Sequence, residues 1–521
     1  MINVIKTLAL NEVRLRMRRL STLVTLLVVV ILSWIMIADP AGGSALITVG
    51  DARVLYSSSA LAIGSASLGT ILFGLGGFYL VRGRVAEDIR SGTGSVIGAT
   101  PVGNALFVFS RWLGSVAYLG ALVGVFMLTI MALHAVRGDG PIEPLVYLQN
   151  YVLMLLPMML FTASCAALFD NWAPLMGKGG DVLFFFVWCL QLGLVMPVVD
   201  GRPVGGPIPA IELLDFNGMG ASMLVVTEAL HSKNVSLGGG DFKASVAPVL
   251  MSPTLWSVQL TTLRAMTGLI ALLPLLLSFL VFHRFSPDKV KLSSSGKRRS
   301  PLVFVNRMLR PASRLVTPLF TLAARLPGLP GQVVGDIALT LVSGPSAVLA
   351  LIGLGGASML APHAALPAIL IGAVAFWGVL ISDMSTRDFA ASTEDMTGSV
   401  MGGTGNRYWR QYAACVILGL MFVGVVALRL ALVEPVRALA LVAGVFSLSA
   451  LATMFGRCSR SARLFMALFL FWVYIVLNQP KLPMLDAVGS VGVANGGSTM
   501  MWALAGALAL AAGHVWNRRA A

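Results

Sequence analysis

Charged residues are scarce in this chain of 521 residues. Asp, Glu, Lys and Arg make up 11% of the sequence and hydrophobic residues make up 57%, whereas about a quarter of the residues of a soluble domain are charged. The composition excludes an ordinary soluble protein and predicts an all-α polytopic membrane protein. The net charge of +15 fits the excess of Lys and Arg on the cytosolic side of membrane proteins, so we expect no nucleic-acid partner.

Cysteine and histidine are also rare, with four and five residues. Their spacing matches neither a disulfide framework nor a zinc site, and we expect no metal and no cofactor in this chain. The acidic residues of the long segment 200–262 are expected to be solvated on a folded exterior cap rather than to form a catalytic pair. These residues are Asp200, Glu212, Asp215, Glu228 and Asp241.

The chain lacks an energy source of its own. It contains no Gly-x-x-x-x-Gly-Lys-Ser/Thr motif for ATP phosphates. Its predicted spans hold almost no ionisable residues of the kind that form proton relays; Arg429 lies near an outer end, and Gln191 is the main polar residue at mid-span. We therefore expect a separate subunit to supply the energy.

Apolar stretches predict about twelve spans, because roughly 20 apolar residues cross a bilayer. The stretch 20–37 is expected to be a retained first span rather than a cleaved signal. The excess of Lys and Arg in the connecting segments predicts that both termini are cytosolic, and we expect the bacterial inner membrane. The predicted spans are 20–37, 58–81, 111–133, 148–169, 182–198, 266–282, 345–360, 366–381, 412–433, 436–455, 464–477 and 500–516.

These spans form two predicted halves of six. The first half is 1–283, with a basic interfacial helix at 1–19 and the exterior segment 200–262. A basic cytosolic linker, 284–330, leads to the second half, 331–521.

One short sequence occurs twice, and this suggests that the halves are a duplication. Thr93-Gly-Ser-Val-Ile-Gly-Ala-Thr100 recurs as Thr397-Gly-Ser-Val-Met-Gly-Gly-Thr404, with six of eight positions identical. Each copy follows the second predicted span of its half, within the cytosolic segments 82–109 and 382–410. An ordinary capped turn between spans is the alternative interpretation.

The layout and the residues around the first copy resemble the type-2 ABC exporter permeases. The basic interfacial helix, the six spans and the long exterior segment are similar, and three short motifs lie at 87–93, 100–102 and 111–114. They read Glu-Asp-Ile-Arg-Ser-Gly-Thr, Thr-Pro-Val and Arg-Trp-Leu-Gly. The resemblance extends over each half and implies two fused six-span halves with interfacial elbow helices and cytosolic coupling helices.

In that family the coupling helix docks on an ATPase subunit. The resemblance therefore implies a permease that is not itself an enzyme and that works with a dimer of ATPase subunits, which bind ATP and Mg. The residues implied in coupling are Glu87, Asp88, Thr93, Gly94, Thr100 and Pro101 in the first half, and Glu394, Asp395, Thr397, Gly398 and Thr404 in the second. The flanks of the two copies differ, since Thr404-Gly-Asn406 replaces Thr-Pro-Val, so the two docking sites are expected to be unequal.

An apolar lining would suit export of a hydrophobic or amphipathic substrate, with Gly74, Gly77, Gln191 and Tyr474 as candidates to line the path; close helix packing is the other interpretation of the glycines. Two other functions fit parts of the sequence. A secondary carrier of the major facilitator type shares the six-plus-six layout, and 83–92 distantly resembles its Gly-rich loop. A non-transporting relay would carry ATPase motion to an exterior partner.

Overall fold

Long apolar helices dominate the structure of the chain, which is a computed structural model. It describes residues 2–194, 206, 208–253, 255–283, 314–399, 403–479 and 481–519. The chain divides into two compact units, Met1–Gly296 and Lys297–Ala521. The predicted basic linker lies mostly outside the described residues.

The first unit holds eleven of the described helices and all of the described strands. In chain order they are α1 (Ile2–Met17), α2 (Leu20–Met36), β1 (Ser44–Val49), β2 (Ala52–Arg53), α3 (Ser58–Val81), α4 (Arg84–Arg90), α5 (Thr93–Gly98), α6 (Asn104–Arg137), α7 (Pro144–Asn171), α8 (Lys178–Gly193), α9 (Met219–Ala229), β3 (Val235–Asp241), α10 (Val258–Ile270) and α11 (Leu273–Val281).

The second unit has helices and no strand among its described residues. Its helices are α12 (Thr317–Arg325), α13 (Gly328–Ser343), α14 (Pro345–Leu360), α15 (Leu366–Ile381), α16 (Arg387–Ala390), α17 (Glu394–Gly398), α18 (Gly403–Val433), α19 (Pro435–Ser459), α20 (Ala462–Asn478) and α21 (Gly496–Arg519).

Eight helices of the described residues are long and apolar enough to cross a membrane. The number rises to ten if each of two bent pairs is one span: α1 with α2, bent by 72°, and α13 with α14, bent by 100°. Twelve spans were predicted. The difference falls at α8 and α20, which have 16 and 17 residues and are shorter than the roughly 20 that a span needs.

A small antiparallel sheet is the departure from the all-α prediction. Its strand order is β2-β1-β3, with Thr48 opposite Arg53 and Ser44 opposite Asp241. The sheet joins two segments that were predicted to lie on the same side of the membrane, 39–57 and 200–262. β1 supplies the apolar, β-branched residues that suit a half-buried strand, and its four central residues are buried.

Close packing around α3 forms the core of the first unit. Most α3 residues are buried. The ring of Phe78 stacks on that of Phe184 of α8, with the ring centroids 3.6 Å apart. It meets the ring of Phe169 of α7 edge-on, with the centroids 5.5 Å apart. In the second unit α19 and α21 approach closely, because Gly506 leaves room for the side chain and backbone of Ser447.

Candidate functional site

The first predicted coupling segment begins at a two-residue break after α3. Gly83 has φ +94°, a conformation that favours glycine, and it turns the chain from α3 into α4. The carboxylate of Asp170, near the end of α7, accepts the backbone N–H groups of Gly83 at 2.8 Å and Arg84 at 2.9 Å. α7 therefore fixes the position at which α4 starts.

A buried cluster of paired charges connects α4 with α1 and α6. Asp88 of α4 is 3% exposed, and its carboxylate pairs with Arg111 of α6. Glu12 of α1 pairs with Arg84 at 3.3 Å and with Arg16 at 2.7 Å. Removing one member of such a buried pair is strongly destabilising, so the cluster holds α4 firmly.

Arg16 also ties α1 to the end of α3. Its two terminal nitrogens donate to the carbonyl oxygens of Leu80 at 2.8 Å and Val81 at 2.7 Å. These carbonyls belong to the last turn of α3, which has no helical partner for them. α1 is thus bonded to the start of the predicted coupling segment.

α5 follows a left-handed residue and projects from this base. Gly92 has φ +73°, and the hydroxyl of Thr93 donates to the carbonyl oxygen of Asp88 at 3.3 Å. Gly94 is buried, whereas Val96 is 68% exposed. α5 therefore rests on its glycine and presents an apolar side chain at its tip.

The other predicted residues of this segment surround α5. Glu87 is partly exposed and pairs with Arg19 and with Arg84, the latter at 2.8 Å. The hydroxyl of Thr100 donates to the carbonyl oxygen of Ile97 at 2.7 Å, and Pro101 is exposed.

The second unit forms a similar arrangement of a left-handed residue, a threonine and a paired aspartate, although its sequence differs. Ser392 has φ +55°, and the hydroxyl of Thr393 donates to the carbonyl oxygen of Asp388 at 3.3 Å. The carboxylate of Asp388 pairs with Arg407 at 3.6 Å and Arg410 at 3.5 Å, both on α18.

Helix α13 takes the place in this unit that α1 has in the first. Asp336 of α13 pairs with Arg410 at 2.8 Å, as Glu12 of α1 belongs to the cluster around Arg111. In both units a carboxylate on the first helix of the bent pair belongs to the charge cluster at the predicted coupling segment.

α17 carries most of the remaining predicted residues. Glu394 pairs with Arg407 at 3.3 Å and with Arg457 of α19. Asp395 is exposed, and Met396 is 72% exposed at the tip. The hydroxyl of Thr397 donates to Asp388 at 3.2 Å. Gly398 ends α17, and the side chain of Thr404 lies outside the described residues.

The repeated sequence does not occupy matching local structure. Its first copy coincides with α5 and the turn that follows, whereas its second copy starts near the end of α17 and extends into α18. The two copies of the repeat are 304 residues apart, but the residues with matching local geometry are 300 residues apart. Asp88 corresponds to Asp388, and Gly92 corresponds to Ser392, since both Gly92 and Ser392 have positive φ. Glu394 and Asp395 are therefore not the counterparts of Glu87 and Asp88.

The predicted pathway residues of the first unit lie within its packing. A side chain at Gly74 would come 3.1 Å from both Trp188 and Asn217, and one at Gly77 would come 3.2 Å from Leu119. Gln191 is buried, and its side-chain oxygen accepts the N–H of Phe216 at 3.2 Å. Tyr474 of the second unit is half-buried. Their part in a pathway stays a prediction.

Two acids of the predicted exterior cap were expected to be solvated, and this was wrong. Glu212 and Asp215 are 0% exposed. The carboxylate of Asp215 accepts the N–H groups of Gly218 at 2.8 Å and Ala221 at 3.0 Å. Its backbone carbonyl accepts from Arg264 of α10, which is itself 1% exposed. The segment around Asp215 folds back against α7 and α10, so these acids lose their contact with water.

Sequence reasoning missed several members of the charge clusters, because most of their partners come from helices far apart along the chain. They are Glu12, Arg16, Asp336, Asp388, Arg407 and Arg457. Among the residues that the structure describes, no group of three or more His, Cys, Asp or Glu side chains could hold a metal ion.

Comparison of the chain with protein-family models, with curated proteins and with solved structures finds no match.

Proposed function

We propose that this chain is the membrane-spanning permease subunit of an ATP-driven transporter, with ATPase subunits docking on α5 and α17. The observation that carries the proposal is the pair of exposed apolar tips, Val96 and Met396. Each tip follows a left-handed residue by four positions. Each is held from behind by a buried or half-buried Asp–Arg pair.

The geometry supports docking because the tips are apolar and the bases are rigid. An isolated turn of five or six residues gains too little from its own hydrogen bonds to keep one orientation. The Asp–Arg pairs behind α5 and α17 hold each of these short helices in one orientation. A rigid lever with an apolar tip can enter a groove on a partner and transmit its closure to the helices behind it.

The same geometry supports a duplicated permease of two six-span halves related to the type-2 ABC exporters. Each unit has an interfacial helix bonded to its coupling segment, and the two segments share their local conformation 300 residues apart. On this reading α5 and α17 are cytosolic, the three-stranded sheet is exterior, and a hydrophobic or amphipathic substrate is exported. The ATP and Mg belong to the ATPase dimer.

The test is capture of an ATPase by the full chain from native membranes. The expected partner carries a Gly-x-x-x-x-Gly-Lys-Ser/Thr motif and is encoded beside this chain. The double variant Val96→Asp with Met396→Asp should bind it at least about 30-fold more weakly, since loss of a central apolar contact typically costs about 2 kcal/mol or more. Each single variant should fall between, and their ratio measures how unequal the two sites are.

Leu250→Asp is the matched control. Leu250 is 68% exposed, as Val96 is, but lies in the predicted exterior segment, so its substitution should leave binding unchanged. Capture of no ATPase by the wild-type chain, or wild-type binding by the double variant, would overturn the proposal.

A proton-driven carrier is the second candidate, and the burial of Glu212 and Asp215 favours it. Buried acids are the groups that such carriers use, and the sequence had suggested that none were present. The two functions separate in membrane vesicles loaded with an amphipathic dye such as ethidium. Transport that needs ATP and survives a protonophore supports the first candidate, and transport that collapses with the proton gradient supports the second.

A further inference from the structure

Helix α12 and the residues that flank it carry a row of leucines in a strongly basic part of the chain. The leucines recur at spacings of four, three and four residues, which places them along one side of a helix: Leu315, Leu319, Leu322 and Leu326. Leu315 is 62% exposed and Leu322 is 44% exposed. We propose that α12 binds the anionic surface of a lipid bilayer, with the leucine row between the lipids and with Arg314 and Arg325 at the headgroups.

The bend between α13 and α14 brings this part of the chain to a membrane surface. The two helices are at 100° to each other, so at most one of them can run across the bilayer. α14 contains no charged residue, whereas α13 contains Asp336, which pairs with Arg410. Because a charged side chain is costly within the bilayer, α14 is the helix that enters it, and α13 runs along its surface.

α12 is held against α13 at this surface. Two residues separate the helices, and α13 starts with a close approach to the end of α12. A side chain at Gly331 would come 2.2 Å from the backbone carbonyl oxygen of Leu326, so the contact depends on glycine. Val316 is 2% exposed, whereas Leu315 and Leu322 stay exposed. α13 therefore leaves the leucine row open.

The polar side of α12 fits an anionic surface. It is formed by residues that recur every four positions, Thr317, Thr321 and Arg325, and all three are exposed. Arg314, which is also exposed, is three residues before Thr317 and adds a second positive charge. The preceding residues 284–313 contain eight Lys or Arg and one acid, Asp288. An apolar row beside such an excess of positive charge is typical of helices that bind anionic lipids at a bilayer surface.

A lipid surface accounts for both sides of α12 together. Protein packed over the leucines would remove them from water but would give the neighbouring arginines no anionic partner. Lipid headgroups supply that partner beside an apolar layer. The proposal needs the chain to lie in a membrane but does not need the ATPase, so it goes beyond the proposed permease function.

Hydrogen–deuterium exchange of the full chain in nanodiscs tests the proposal. The discs contain phosphatidylcholine alone or an equal mixture with phosphatidylglycerol. Exchange at 315–326 should be at least about tenfold slower in the mixture, since one arginine near an anionic surface accounts for about a fivefold change in binding. Added salt should reduce this difference, because it screens exposed charges. Exchange at 394–398 is the internal reference and should be equal in both discs.

Substitutions on two sides of α12 locate the contact. Leu322→Asp should speed exchange at 315–326 in both lipids. Ala324→Asp adds the same charge at an exposed position on the opposite side of the helix and is the matched control, which should keep most of the lipid difference. Arg314→Gln with Arg325→Gln should narrow the lipid difference by at least about fivefold and leave exchange in phosphatidylcholine unchanged.

Three results would overturn the proposal. They are equal exchange of the wild type in the two lipids, equal effects of Leu322→Asp and Ala324→Asp, and slow exchange at 315–326 that persists in detergent without lipid. The last result would show that protein covers the leucines. ATPase capture is measured separately, so failure of this proposal is distinguishable from failure of the proposed function.

Discussion

Arg264 donates a hydrogen bond from Nε to the backbone carbonyl oxygen of Leu153 at 3.0 Å. Leu153 lies four residues before Pro157, and proline has no N–H for that carbonyl. Arg264 therefore supplies the donor that α7 lacks, and it also bonds the carbonyl oxygens of Met154 at 3.2 Å and of Asp215. One side chain of α10 joins α7 to the segment around Asp215.

Arg264→Met should be strongly destabilising. The substitution leaves the buried carbonyl oxygens of Leu153, Met154 and Asp215 without their donor, and each unsatisfied buried acceptor costs about 1–3 kcal/mol. The midpoint of unfolding in a denaturant titration of the detergent-solubilised chain measures this loss.

Pro157→Ala in the Arg264→Met background tests whether Arg264 replaces the N–H that Pro157 lacks. Alanine restores an N–H to the carbonyl of Leu153, so about 1 kcal/mol of the loss should return. Additive effects of the two substitutions would contradict the link between Pro157 and Arg264.

Asp215 should make stability depend on pH. Burial raises the pKa of Asp215 above its ordinary value, and the neighbouring Arg264 and three backbone N–H groups offset only part of the rise. The folded state thus holds the proton at a pH at which the unfolded state has lost it. The free energy of unfolding should therefore fall as the pH rises from the pKa of Asp215 in the unfolded chain, about 3.9, through its raised pKa in the folded chain.

Thermal unfolding between pH 4 and pH 8 checks this direction. Asp215→Asn should remove most of the slope, because the amide does not ionise. Asp241→Asn, at an exposed position, should behave as the wild type does; an equal slope in wild type and Asp215→Asn would be the contrary result.

Opposite substitutions at Gly92 and Ser392 should have opposite effects. Both residues have positive φ, +73° and +55°, where glycine is unstrained and other residues lose roughly 1 kcal/mol. A side chain at Gly92 meets no atom within 4 Å, so Gly92→Ser tests backbone strain alone. We expect it to loosen α5, and we expect Ser392→Gly to hold α17 more firmly.

Hydrogen–deuterium exchange of the two segments measures these changes. Exchange should become faster at 93–98 in the first variant and slower at 394–398 in the second. Changes of the same sign in both variants would argue against a shared local conformation.

Gly444→Ala should destabilise the second unit. A side chain at Gly444 would lie 2.3 Å from the backbone carbonyl oxygen of Ala487, which no side-chain rotation relieves, and overpacking of this kind costs about 1–3 kcal/mol. Gly424→Ala is the control, since no atom lies within 4 Å of the added carbon. It should be neutral or stabilising by up to about 1 kcal/mol. Equal unfolding midpoints for the two variants would contradict the close approach.

Helix positions were the best predicted feature. The predicted spans 58–81, 345–360 and 366–381 match α3, α14 and α15 residue for residue. A helix forms its backbone bonds within itself, and in lipid it must do so, so local apolarity and the flanking polar residues suffice to bound it.

The candidate site was predicted less completely. The segments 82–109 and 382–410 contain the exposed tips, but the repeated sequence suggested the wrong alignment between them. The identical residues of the repeat, which are 304 positions apart, lie in different local structures. Asp88 and Asp388, which are 300 positions apart, have the same structural role although the sequences around them differ. Which carboxylate is buried depends on arginines such as Arg111 and Arg410, which come from a later helix.

The sequence by itself determined that this is a multi-pass membrane protein of long apolar helices, because the transfer of apolar side chains out of water is a property of each segment alone. The tertiary structure decided which charges are buried and paired, that Glu212 and Asp215 are withdrawn from water, and that 44–53 meets 235–241 in a sheet. Each of these outcomes depends on groups far apart along the chain. The solvation of a carboxylate or a strand edge is set by whatever packs over it, and that partner is fixed only when the chain has folded.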